Sequence, residues 1–177
     1  MIYKIITKSR QEIEGLLNTV RSLEHTAIIS ICSHVSQVLM TKKRIEELHA
    51  MDCHYILPLV FEDIRKQDEP KLLDKHVLFN EDMAHQIISF LDVLRDKEIT
   101  TLFIHCDAGV SRSGAVGIFA VRYLDMDEKE FLGSNIIHPN STIYDILMKV
   151  SGLRGDYIKF WENHSNSIII NPKIIFN

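Results

Sequence analysis

The sequence predicts an α/β protein with a central, largely parallel sheet flanked by helices, and three observations carry that expectation. Short apolar runs of strand character, Ile2 to Thr7, Ala27 to Cys32, Tyr55 to Phe61 and Thr101 to Ile104, alternate with segments of helical periodicity. Ala27 to Cys32, apolar apart from Ser30, gives a solid signal of a buried strand. Thr101 to Ile104 runs into a glycine-bearing loop, His105 to Gly114, and then into a long apolar segment, Ala115 to Leu124. A strand, a loop and a helix in that order place the loop where parallel sheets bind ligands, beyond the carboxyl end of a strand.

Taken in order, Ile2 to Thr7 reads as a short strand. Gln11 to Leu23 reads as a helix with Ile13, Leu16, Leu17 and Val20 on its apolar side. After the strand Ala27 to Cys32, a second helix is predicted over Thr41 to Met51, where Ile45, Leu48 and Met51 share a stripe above a charged face. Pro58 interrupts Tyr55 to Phe61, because proline cannot donate to a ladder, so this run is predicted to be an edge strand or a bend. From Asn80 the helix signals are clear. Asn80 is the N-cap, Glu81 and Asp82 occupy the first turn, and Met83, Ile87, Ile88, Leu91 and Leu94 follow along one face.

Composition bounds the reading. At 177 residues, 46% hydrophobic and 25% charged, the chain is the size of one globular domain. Within it, residues 1–55 form an N-terminal βαβ part, 56–150 a core that carries the loop, and 151–177 a C-terminal helix and tail. The formal charge of −4 gives no polybasic footprint, so no nucleic-acid partner is expected. No apolar run reaches the length of about 18 residues that a membrane span needs. The three cysteines, Cys32, Cys53 and Cys106, form no CxxC pair, and no signal-like N-terminus precedes them, which fits a reducing cytoplasmic setting. The nine histidines show no metal-ligand spacing, so no metal or other cofactor is expected.

The loop has a chemistry of its own. Five residues, Asp107, Ala108, Gly109, Val110 and Ser111, separate Cys106 from Arg112. That length lets the backbone curl into a cup whose N–H groups, with those of the following helix, converge on an anion. Arg112 adds a planar fork that stays charged at any working pH. Cys106 sits in the same positive field, which favours the thiolate and lets it act as a nucleophile toward phosphorus. Gly109 permits positive φ, and Ser113 can place a hydroxyl near the sulfur. A lone cysteine at a strand end is usually a buried structural thiol; glycine, arginine and serine at these offsets argue against that here.

The run His105 to Gly114 resembles the HCxxGxxRSG signature of the cysteine-dependent protein phosphatases, and the surrounding chain is most similar to their compact dual-specificity branch. The resemblance implies a single phosphatase domain in which Cys106 forms a phosphocysteine intermediate. The loop amides and Arg112 would bind the phosphoryl group, and Ser113 would help the thiolate leave. It also implies that His105 helps fix the cysteine's geometry and thiol acidity. The substrate implied is a phosphorylated protein, through phosphotyrosine and also phosphoserine or phosphothreonine if the pocket admits them.

Ester cleavage needs a proton donor for the leaving oxygen, typically an aspartic acid on a loop that covers the substrate. The polar stretch Phe61 to Asp74 holds the candidates Asp63, Asp68 and Asp74. Position just past the strand favours Asp63, whereas the family's spacing to the cysteine favours Asp74. Asp63 is preferred because the helix after Asn80 keeps its family place and the excess reads as an inserted loop.

Farther on, Phe131-Leu132 and Pro139 to Leu147 resemble the late helix pair of the same family. Asn140 matches an asparagine that braces the catalytic loop, and it is equally an ordinary N-cap. An arginine common shortly before that motif is absent, with Ile137 and His138 in the vicinity. The resemblance also raises a protective disulfide between Cys32 and Cys106, although a buried thiol at Cys32 is the preferred reading. The tail, with Trp161, Ile168 to Ile170 and Ile174 to Phe176, is expected to pack on the core. Rival functions with a similar loop are a phosphoinositide or RNA 5′-phosphate phosphatase and a non-enzymatic phosphate-binding module. Asp107 within the loop disfavours polyphosphorylated ligands, the absence of a basic stripe disfavours RNA, and the presence of both Cys106 and Arg112 disfavours a mere binding module.

Overall fold

The computed structural model describes residues 2–35, 40–65 and 76–154. Four strands, β1 (Lys4–Ser9), β2 (Thr26–Cys32), β3 (Tyr55–Val60) and β4 (Thr101–Cys106), form one all-parallel sheet in the order β1-β4-β2-β3. Six helices accompany them: α1 (Arg10–Thr19), α2 (Lys42–His49), α3 (Glu81–Arg95), α4 (Arg112–Tyr123), α5 (Glu128–Ser134) and α6 (Ser141–Ser151). Among these, no helix is long and apolar enough to cross a membrane.

Strand alternation divides the core into two layers. Ala27, Ile29 and Ile31 of β2 and Leu102, Ile104 and Cys106 of β4 face a large cluster with Ile87, Leu91, Phe119, Tyr144 and Leu147 from α3, α4 and α6. Ile28 and Phe103 face the other way, against Ile13, Leu17 and Leu48 from α1 and α2. Buried on both faces, β2 needs the mainly apolar sequence it has, with only the small polar residues Thr26 and Ser30 among its seven. At the edge, β3 tolerates Pro58, which is exposed and leaves the ladder with β2 in register. Helix α4 is buried from Arg112 to Val121, which explains its apolar character on all sides.

The boundaries of β1 and α1 differ most from the sequence expectation. β1 runs Lys4–Ser9 rather than Ile2 to Thr7, because its polar end pairs with the functional end of β4, Lys8 opposite His105 and Ser9 opposite Cys106. Ile2 is buried all the same, and Tyr3 and Lys4 are tied through their backbone N–H groups to Thr100 O. Helix α1 stops at Thr19, where the hydroxyl bonds back to Gly15 and Leu16 carbonyls and Val20 turns to an extended conformation. Leu23, predicted inside that helix, instead reaches the second core layer from a turn anchored on Met51 O. The tail from residue 155 onward, with Trp161 and its isoleucines, lies outside the described residues.

Leu91 is fully buried on α3 against the sheet. Leu91→Ala should therefore lower unfolding stability by about 3 kcal/mol, measured as a lower urea midpoint with an unchanged slope; a shift under about 1 kcal/mol would contradict this packing.

Candidate active site

The sheet order places the carboxyl ends of all four strands around one point. β4 ends at Cys106, and the loop Asp107 to Ser111 leads directly into α4. Beside it lie Ser9 and Arg10 from the end of β1, Ser33 after β2, and Phe61 to Asp63 after β3. Cys106 is 2% exposed, and its Sγ lies 3.2 Å from Ser113 Oγ on the first turn of α4, within hydrogen-bond reach.

Gly109 shapes the loop. It adopts φ +78°, and a Cβ there would stand 2.4 Å from Ser9 N and 2.5 Å from Lys8 C. The loop is thus pressed on the corner between β1 and α1, where the Arg10 backbone N–H also donates to Asp107 O. That corner is itself held by a capping box, Ser9 Oγ accepting from Glu12 N while the Glu12 carboxylate accepts from Ser9 N. At the head of α4, the Ser111 hydroxyl does not cap the helix and donates instead to Asp63 Oδ1 at 2.8 Å.

Arg112 is 4% exposed, and its donors are distributed with care for burial. Nη1 donates to Phe61 O at 2.9 Å and Ser33 Oγ at 3.0 Å, and Nη2 donates to Asp107 Oδ2 at 2.6 Å. Ser33 Oγ in turn donates to the same Asp107 oxygen, and Arg10 Nε donates to Asp107 Oδ1 at 3.2 Å. Burial raises the Asp107 pKa, but the Arg112 hydrogen bond and charge, then Ser33 and Arg10, outweigh it and hold the carboxyl below its ordinary range. Arg112 Nε is buried with no protein partner. Five N–H bonds with three protein acceptors leave Nε–H and one hydrogen of Nη2, a parallel pair suited to two oxygens of a tetrahedral anion.

The predicted residues meet at this point. Asp63, exposed on the segment after β3, accepts from Ser111 Oγ and from Asn140 Nδ2, each at 2.8 Å. Asn140 is fully buried. Its Oδ1 caps α6 by accepting from Thr142 and Ile143 N–H, while its backbone N–H donates to Ser111 O of the loop. The other two acid candidates, Asp68 and Asp74, lie outside the described residues. Although no arginine immediately precedes Pro139, Arg65 Nη2 comes to 3.4 Å from His138 Nδ1, so a guanidinium from the acid-bearing segment stands there.

Two further residues have clear surroundings. His105 is fully buried, neither ring nitrogen makes a well-formed hydrogen bond, and burial, reinforced by the charge of Arg10, pushes its pKa down to about 4. It is a neutral ring at physiological pH. Cys32 is a free thiol, and alternation along β2 sets it on the face of Ile28 and Ser30, opposite the face of Ile31 that Cys106 shares. Its Sγ points to Leu59 O and His34 O, and burial raises its pKa, which fits a structural thiol rather than a partner for Cys106. Sequence reasoning missed Arg10, Ser33 and the Phe61 carbonyl. The usable signal was position, since each follows the carboxyl end of a predicted parallel strand.

Gly109→Ala should cost at least twice as much stability as Gly152→Ala, measured by chemical denaturation. Both adopt positive φ, yet a Cβ at Gly152 meets nothing, so that change costs only the backbone strain of about 1 kcal/mol. His105 sets a pH dependence. Its folded pKa of about 4 lies below the unfolded value of 6.5, so the unfolded chain binds more protons between those limits. The stability present above pH 6.5 is lost as the pH falls toward 4, by up to about 3 kcal/mol. His105→Gln should flatten that slope, and an unchanged slope would assign the acid sensitivity to other groups.

No protein-family model matches the chain, and no curated protein does. Solved structures do. A Cydia pomonella PTP-2 phosphatase is 19% identical with a TM-score of 0.53, the match covering 82% of this chain and 84% of that one. Tk-PTP in its active form is 13% identical, with a TM-score of 0.49 and coverage of 84% and 90%. The human tyrosine phosphatase-like serine/threonine/tyrosine-interacting protein is 16% identical, with a TM-score of 0.48 and coverage of 81% and 85%. With its all-parallel sheet and its layers of helices, the chain has an α/β fold like that of the Cydia pomonella PTP-2 phosphatase.

Proposed function

We propose that this protein is a phosphoprotein phosphatase that hydrolyses phosphotyrosine, and phosphoserine or phosphothreonine where they fit, through a phosphocysteine intermediate. The observation that carries the reading is the meeting of Cys106 Sγ, Ser113 Oγ and the unpartnered Nε edge of buried Arg112 in one loop at the head of α4.

In the first step the Cys106 thiolate attacks phosphorus, forming the S–P bond as the ester P–O bond breaks. The amides of Asp107 to Ser111 and the free edge of Arg112 hold the equatorial oxygens. Asp63 gives its proton to the leaving oxygen. Its Oδ1 is taken by Ser111 and Asn140, which leaves Oδ2 to carry that proton. In the second step water attacks phosphorus, the Asp63 carboxylate accepts a water proton, and the S–P bond breaks to release phosphate. The Ser113 hydroxyl donates to the departing thiolate. A protein substrate with a single phosphate is favoured over a polyanion because two carboxylates, Asp63 and Asp107, stand partly exposed at the loop.

Hydrolysis of a generic aryl phosphate under reducing conditions without metal tests the reading. Turnover by the wild type is expected without any added metal. Cys106→Ser should abolish it, and Asp63→Asn should lower kcat by about 100-fold or more. Turnover surviving in Cys106→Ser would overturn the mechanism.

A further inference from the structure

Arg10 belongs to no motif, yet it is the second arginine at the loop. It opens α1 directly after β1, and it grips Asp107 twice. Its backbone N–H donates to Asp107 O at 3.1 Å, and its Nε donates to Asp107 Oδ1 at 3.2 Å. Asp107 Oδ2 meanwhile binds Arg112 Nη2 at 2.6 Å and Ser33 Oγ at 3.0 Å. Three charged groups therefore stand in a row, Arg10, Asp107 and Arg112, with one carboxylate shared between two cations.

The sharing matters because Asp107 is both a support for Arg112 and a rival for it. As a support, it fixes Nη2 and leaves the Nε edge unpartnered and buried toward the loop. As a rival, it is an anion within contact of the guanidinium that would receive any other anion. With Arg10 in place the row carries one net positive charge, and each carboxylate oxygen has its own arginine. Without Arg10, the row is neutral, and Asp107 Oδ1 is free to turn toward Arg112 and close over the Nε edge.

We propose that Arg10 is a positioning residue for anion binding, acting through Asp107 to keep Arg112 available to a phosphoryl group. The inference deepens the reading of this loop as the phosphate site and rests on it. It follows from the sheet order, since pairing of Ser9 with Cys106 in register sets the residue after each strand side by side. Ser33, from the neighbouring β2, completes the frame by accepting from Arg112 and donating to Asp107.

The experiment is binding of inorganic phosphate by calorimetry to wild type, Arg10→Gln, Asp107→Asn and the double variant, with aryl phosphate kinetics on the same proteins. Arg10→Gln should weaken phosphate binding about tenfold and raise KM more than it lowers kcat. Asp107→Asn should bind phosphate at least as tightly as wild type. The double variant regains the net charge of the row and should bind within about threefold of wild type, a rescue that a merely structural role for Arg10 would not give. Unchanged binding in Arg10→Gln, or a double variant as weak as the single, overturns the inference while leaving the phosphate site standing. Wild type that binds phosphate in this order but hydrolyses nothing upholds the inference and removes the phosphatase reading. Wild type that binds no phosphate overturns both.

Discussion

The site depends on the burial of one guanidinium. Taking a cation out of water costs on the order of several kcal/mol unless its donors are met, and the acceptors around Arg112 come from three different strand ends. Ser33 follows β2, Phe61 follows β3 and Asp107 follows β4. Arg10, which follows β1, holds Asp107 from the other side. One buried charge thus ties the carboxyl ends of all four strands together. The exception is Nε, which is buried without a protein partner.

Packing brings the loop into that position. Gly109 lets the loop backbone lie against the β1–α1 corner, where any side chain would overlap Ser9 and Lys8. On the far side of the loop, helix α4 is buried along nearly its whole length, and at Gly117 a Cβ would meet Phe131 of α5 at 2.8 Å and Thr7 of β1 at 3.2 Å. The loop is therefore clamped between a strand corner and a close-packed helix, and the geometry at Cys106 follows from core packing as much as from the motif. The acid-bearing segment is held differently. Asp63 is exposed and meets the loop through two hydrogen bonds, one from Ser111 and one from Asn140 at the head of α6.

Much of this was legible in the sequence, for reasons of pattern. β2 is read directly because a strand buried on both faces is predominantly apolar, with only Thr26 and Ser30 as small polar exceptions. Pro58 left an edge strand or a bend open for this run, and the sheet order makes it an edge. The chemistry at Cys106, Gly109, Arg112 and Ser113 is local in the chain, so their spacing alone predicts a cup, a cation and a thiol in one place. The ends of β1 and α1 were misread because those boundaries are decided by partners distant in sequence, His105 and Cys106 for β1 and Met51 for the turn after α1.

By itself, then, the sequence pointed to the layered α/β class and to the caps at Asn80 and Asn140, and it offered Tyr55 to Phe61 as an edge strand or a bend and Asp107 to Ser111 as a loop able to curl around an anion, because each reading rests on residues within a turn or two of one another. The tertiary structure alone decided the strand order, and with it everything that reaches the loop from elsewhere. Arg10, Ser33, the pair Phe61 and Asp63, and Asn140 come from four separate places in the chain, and no periodicity or spacing relates them to Arg112. They meet because β4 inserts between β1 and β2, a choice made by burying Ile29, Leu102, Ile104 and their neighbours together. The same insertion sets Cys32 and Cys106 on opposite faces, so the disulfide suggested by resemblance gives way to two separate thiols, since a side chain cannot reach through the sheet that carries it.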